Sequence, residues 1–199
     1  VAGAGGAYLS VAGAIVLAAA LLLAVPPTPR QTLQSHQGST LRSDIAASVS
    51  LVGQQPPLAS ILGVTALVNF FHFAYFPIVQ VVAQRVDASP FRTGLLAAAT
   101  GAGMAVGATI ILRTNIRRGR AYATGALGGF IFLIGFGAFD QYWLVFASLF
   151  VASCFIGLFA STQGALVMTA VVPVMKGRAM GLLSMAIGVL PLGMTALGE

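Results

Sequence analysis

Six long apolar runs, parted by short gaps, fill most of this 199-residue chain and constrain its fold more than any other feature. They cover about residues 2–25, 58–82, 93–112, 121–139, 143–171 and 179–197. At about 1.5 Å per residue, runs of this length match the ~30 Å of hydrocarbon in a bilayer. Charged residues make up only 7% of the chain, against about a quarter in an ordinary soluble domain. That is too few to cover a folded body in water, which excludes a soluble globular domain. The apolar surface faces lipid, and the predicted fold is an all-α transmembrane helix bundle.

The gaps carry the orientation signal. Pro26-Pro27-Thr28-Pro29 stops the first run, since no helix continues through such a stretch. Eight Lys and Arg fall in the loops 26–57, 113–120 and 172–178, and two fall in the loops 83–92 and 140–142. By the positive-inside bias the first set is cytoplasmic. This distribution also accounts for the net charge of +6 without a nucleic-acid partner, which would call for cations clustered with aromatics on a soluble fold. The predicted organisation is a first span over 1–25, a cytoplasmic linker over 26–57, and the remaining spans over 58–199. Within the linker, Asp44 caps a stretch with Ile45, Val49 and Val52 at helical spacing, either a short surface helix or a simple tether. The chain begins at Val1 inside an apolar run and reads as a fragment of a longer protein.

Enzyme signals are weak. The four acidic residues lie at span ends or in loops, and Cys154 is a lone cysteine within an apolar run. No spacing fits a metal site or a phosphate loop, so no cofactor is expected. Polar groups concentrate instead on the second run. Asn69, His72, Phe73, Phe76, Gln80 and Gln84 share about a third of the circumference at 3.6 residues per turn. Pro77 interrupts the same stretch. Polar groups at membrane depth face a bundle interior or a wet cavity, so the stripe is either a substrate-facing wall or a set of helix–helix hydrogen bonds. His72 reads as a proton-coupling group or as a satisfied structural histidine. On the fifth run Gln163 reaches a cavity or, more simply, a neighbouring helix. Gly103 with Gly107, and Gly125 with Gly129, are four apart and would let helices approach closely. The cationic loops with Arg117, Arg118 and Arg120, and with Lys176 and Arg178, are positive-inside signals. They are also candidate gate contacts to helix C-terminal carbonyls or to a carboxylate.

Several motifs together resemble the C-terminal half of a major facilitator superfamily transporter, in its enterobactin-exporter-like and macrolide-efflux-like branch. Gly3-Ala4-Gly5-Gly6-Ala7-Tyr8-Leu9 is similar to the opening of that family's span six. Arg42, Asp44 and Gln55-Pro56 resemble its central linker, and Ala88-Ser89-Pro90 with Thr93-Gly94-Leu95-Leu96 resembles the start of span eight. Arg117-Arg118-Gly119-Arg120 is similar to its loop between spans eight and nine. Pro173 with Lys176-Gly177-Arg178-Ala179-Met180-Gly181 resembles the motif that opens span eleven, the most specific of the set. Two features depart from the pattern: Ser10 and Val11 stand where an Asp often follows Tyr-Leu in span six, and 113–120 has no Asp before its arginines.

The resemblance implies spans six to eleven of a secondary active transporter in a bacterial plasma membrane. It implies proton-coupled efflux of small amphipathic molecules by alternating access, together with a missing N-terminal half. The substrate-cavity candidates are Asn69, His72, Phe76, Gln80 and Gln163. The alternatives from other classes are a membrane-embedded assembly subunit without transport and a lipid-modifying enzyme, for which His72 lacks a catalytic partner.

Overall fold

The structure, a computed structural model, describes residues 50–197 and, before them, residues 12, 13, 15–17, 19–21 and 23. The chain forms two compact units, Val1–Thr40 and Leu41–Glu199, and the division falls inside the stretch read from sequence as the linker. In the first unit the described residues are helical. The rest of the 2–25 run, and the linker through residue 49 with Arg30, Arg42 and Asp44, lie outside the described residues.

The second unit is built from helices, with no strand among the described residues. Residues 50–54 are helical and lead into α1, Pro56–Leu67. Two prolines open α1, where a missing N–H costs nothing and a fixed φ suits the first turn. A wide π-turn follows over Val68–His72, and α2 runs from Tyr75 to Arg85. Helix α3 is Pro90–Arg113, with Ser89 accepting the Arg92 N–H at its start. Helix α4 is Arg118–Ala138 and α5 is Tyr142–Ala170. A tight turn over Pro173–Met175 leads into α6, Lys176–Ile187, and α7 is Leu190–Leu197.

These elements form five segments long and apolar enough to cross a membrane: Pro56–Arg85, Pro90–Arg113, Arg118–Ala138, Tyr142–Ala170 and Pro173–Ala196. The chain is therefore an integral membrane protein of all-α build. Several helices start earlier than hydropathy places them. The prolines at 56, 90 and 173 begin a turn as readily as they end one, and polar first turns are invisible to a hydropathy count.

Helix α5 lies along both α3 and α4, and glycine makes these contacts possible. A side chain at Gly103 would meet the Phe150 carbonyl at 2.5 Å, and one at Gly107 would run into the Cys154 carbonyl. Gly157 returns the contact against the Met104 backbone. On α4, a side chain at Gly125 would meet the Phe155 carbonyl at 2.6 Å, and one at Gly129 would meet the Ile156 side chain at 2.7 Å. The expected small-residue pairs thus sit where backbones touch. Lipid tails are as apolar as Leu, so close packing of this kind carries helix association in a membrane.

Three apolar clusters run along the unit. Leu51, Leu58, Leu62, Val167, Val171, Ala179 and Leu183 form one at the end that holds the Lys176 loop. Val68, Tyr122, Ala126, Ile156 and Phe159 form the middle one, and Tyr75, Val82, Leu96, Phe136, Val145 and Leu149 belong to the third. Leu51 is buried in the first cluster, so the part of the linker helix described here packs onto the bundle.

Candidate functional site at a paired helix break

Two of the five membrane-spanning segments are interrupted partway along, each next to a proline. In Pro56–Arg85 the π-turn over Val68–His72 is followed by a turn at Phe73 and Ala74. Pro77 has no N–H to give the Phe73 carbonyl, and the Phe76 N–H reaches it instead, at 3.2 Å. In Pro173–Ala196 the helix stops at Ile187 and restarts at Leu190, and Pro191 withholds its N–H from Ile187 in the same way.

The helix that follows the second break meets the first. Helix α7 packs on the π-turn, and any side chain at Gly193 would collide with the Phe70 carbonyl. Only a glycine lets the two backbones come so close. Gly188 with Pro191 and Gly193 is the sequence signal for this second break.

His72 closes the π-turn with 1% of its surface exposed. Its ring meets Phe73, Tyr75 and Phe130 edge to face, with centroids 5.4, 5.5 and 5.9 Å away. Its Nδ1 is buried and has no hydrogen-bond partner among the described residues. Asn69, also buried, donates from its side-chain amide to the Thr65 carbonyl of the preceding turn at 2.8 Å. Next to this group, Tyr122 of α4 donates to the Ile61 carbonyl at 2.6 Å. That bond uses its only proton, so Thr65 is the donor in the 2.9 Å Thr65–Tyr122 hydroxyl pair. The first half of the broken span is thereby tied to α4.

The six-residue stripe does not form one wall. Asn69 and His72 lie in the packed interior, Phe73 is half-buried, and Phe76, Gln80 and Gln84 are exposed. A helical wheel assumes one uninterrupted α-helix. The π-turn and the tight turn after it change the phase and direction of the chain between Asn69 and Phe76. Phe76 stacks on Phe73 and Tyr75 at 5.9 and 4.7 Å. Gln80 and Gln84 line a cleft of about 510 Å3 between α2 and the start of α3, opposite Pro90, Thr93 and Gly94. Gln163 of α5 is half-buried, its Oε1 has no hydrogen-bond partner among the described residues, and it bonds to neither Asn69 nor His72.

The cationic candidates divide as well. Arg117, Arg118 and Arg120 are exposed at the start of α4, and no ion pair joins them to a described residue. Lys176 and Arg178 stand in the first turn of α6. The guanidinium that does bond helix C-terminal carbonyls is on the opposite side and was not singled out from sequence. Arg85 donates to Gly137 O and Phe139 O, both at 2.7 Å, and its Nε lies 3.4 Å from Asp140 Oδ1. The negative end of the α4 dipole favours a cation there. This clamp ties the second half of the broken span to α4, as Tyr122 ties the first half.

Among the described residues no three His, Cys, Asp or Glu side chains are grouped closely enough to hold a metal ion. The arrangement supplies a π-turn packed against the helix that follows a second break, an imidazole nitrogen without a partner among the described residues, and amide groups on an open face. Comparison with known proteins adds no identity to this geometry: no protein family, no curated protein and no solved structure matches the chain.

Proposed function

We propose that the chain is part of a secondary active transporter working by alternating access. Transporters of this kind bind their cargo where discontinuous spans meet inside the bundle. The observation that carries the reading is the paired break, in which Gly193 of one interrupted span rests on the Phe70 carbonyl of another. Two further features support it. Buried polar atoms without partners, His72 Nδ1 and Gln163 Oε1, are costly in a packed bundle and are kept where a state change or a ligand uses them. Residues 68–74 lie between two ties to α4, Tyr122 to Ile61 and Arg85 to Gly137, and would act as a hinge once one of these ties is released in the cycle.

The motif likeness to the major facilitator superfamily makes this chain spans six to eleven of such a transporter. Its cargo is then a small amphipathic molecule exported against proton influx across a bacterial plasma membrane. The test is transport by the full-length reading frame that contains this chain. Inside-out vesicles carrying it should accumulate an amphipathic fluorescent dye when a proton gradient is imposed, and lose that uptake when the gradient is collapsed. Gly193→Leu should abolish uptake. Vesicles that take up no member of a broad panel of such dyes, with or without a gradient, would sink the export reading and favour a non-transporting assembly subunit.

A further inference from the structure

The side of the bundle that carries the arginine-rich turn holds a groove the transport reading does not use. It has a volume of about 430 Å3 and runs along the end of α3, lined by Ala105, Val106, Thr109, Ile110, Arg113 and Thr114. Both hydroxyls on this wall are turned into their own helix: Thr109 donates to Ala105 O at 2.8 Å and Thr114 to Ile110 O at 2.7 Å. The groove is therefore apolar along its length and cationic at one end, where Arg113 stands.

Just beyond that end come Arg117, Arg118 and Arg120, all exposed. No acidic residue occurs between Asp87 and Asp140, and both of those lie at the far ends of α3 and α4. These cations open α4, whose first N–H groups have no side-chain cap and whose dipole also favours an anion. Arg113 thus lines the end of an apolar groove on a membrane-spanning helix, and three more arginines and an uncapped helix start follow it directly in the chain.

We propose that this groove binds one anionic phospholipid, with an acyl chain against Val106 and Ile110 and the headgroup phosphate at Arg113 and the 117–120 turn. The occupant follows from charge and shape together. A free phosphate would need the cations and leave the apolar wall uncovered, and an apolar helix would need the wall and leave four cations unanswered. Basic groups at the cytoplasmic ends of spans are known hosts for anionic headgroups. The inference requires only that α3 crosses the membrane, and it stands or falls separately from transport.

The full chain, purified in detergent and stripped of lipid, is titrated with phosphatidylglycerol and with phosphatidylcholine of the same acyl chains. Native mass spectrometry reads the retained lipid. Phosphatidylglycerol should be retained at a several-fold lower concentration than phosphatidylcholine, and Arg113→Gln should weaken it about fivefold. Changing Arg113, Arg117, Arg118 and Arg120 together to Gln should remove the preference, and changing the four to Lys should keep most of it. Val106→Trp, which fills the groove, should weaken retention of both lipids, and circular dichroism should show unchanged helix content in each variant. Equal retention of the two lipids by the wild type overturns the proposal, as does an unaltered preference in the fourfold Gln variant. Full displacement by glycerol 3-phosphate would assign the arginines to a free phosphate. Unchanged retention in Val106→Trp would leave the headgroup on a flat surface and the groove empty.

Discussion

Asp87 is the only described residue other than glycine with a positive φ, 48°. It closes α2 in a Schellman turn: the Asp87 N–H reaches Gln84 O at 3.1 Å and the Ala88 N–H reaches Ala83 O at 2.9 Å. A left-handed conformation costs a residue with a Cβ about 1–2 kcal/mol, less for Asp than for most. Asp87→Gly should therefore stabilise the protein by up to about 1 kcal/mol, read as a higher thermal midpoint in detergent. An unchanged or lower midpoint would mean that the Asp87 side chain does something there that the turn geometry does not require. His72 makes the opposite case. Its Nδ1 is buried without a partner, so an apolar ring of similar size removes a desolvation cost and breaks no hydrogen bond at that atom. His72→Phe should leave thermal stability within about 1 kcal/mol of wild type or raise it. A large loss would show that the imidazole is held by a bond, as a structural histidine is.

At the scale of elements, the breaks come from two prolines placed alike. Pro77 and Pro191 each deprive the carbonyl four residues earlier of its donor, and each break lies within the preceding turn. Pro77→Ala supplies an N–H for Phe73 O and should extend α2 backward through the turn at Phe73 and Ala74. Hydrogen exchange should then slow at the amides of residues 75–78, and transport by the full-length protein should fall as the hinge stiffens. Exchange as fast as in wild type would place the cause of the break in the π-turn instead.

This is also where sequence reading reached its limit. Pro77 was legible as a kink, but the wheel that placed Asn69, His72, Phe76, Gln80 and Gln84 on one face had no means of registering a π-turn. That turn is fixed by packing, through Gly193 on Phe70 and His72 among aromatic rings from α2 and α4. Arg85 was legible only as a loop charge, since its partners at 137–140 lie more than fifty residues away in sequence.

At the scale of the whole molecule, what hydropathy and small-residue spacing report is local, and so it survived. Five of the six apolar runs, as segments long enough to cross a membrane, and the glycines that seat α3 and α4 on α5 were readable from residue type alone. The site was only partly readable, because it depends on which face each half of a broken helix presents. Two separate surfaces result: an interior one with Asn69 and His72, and an open one with Phe76, Gln80 and Gln84. If the chain works by alternating access, the open surface changes its exposure during the cycle. The most direct measurement is thiol labelling of Gln80→Cys, in a Cys154→Ala background, within the full-length reading frame in membrane vesicles. The account predicts that a membrane-impermeant maleimide labels residue 80 at a rate that changes several-fold when a transported dye is added or a proton gradient imposed. A rate indifferent to every tested dye and to the gradient, while a cysteine at Gln141, exposed at the same end of the bundle as residue 80, is labelled and so shows that this side is reachable, would contradict it.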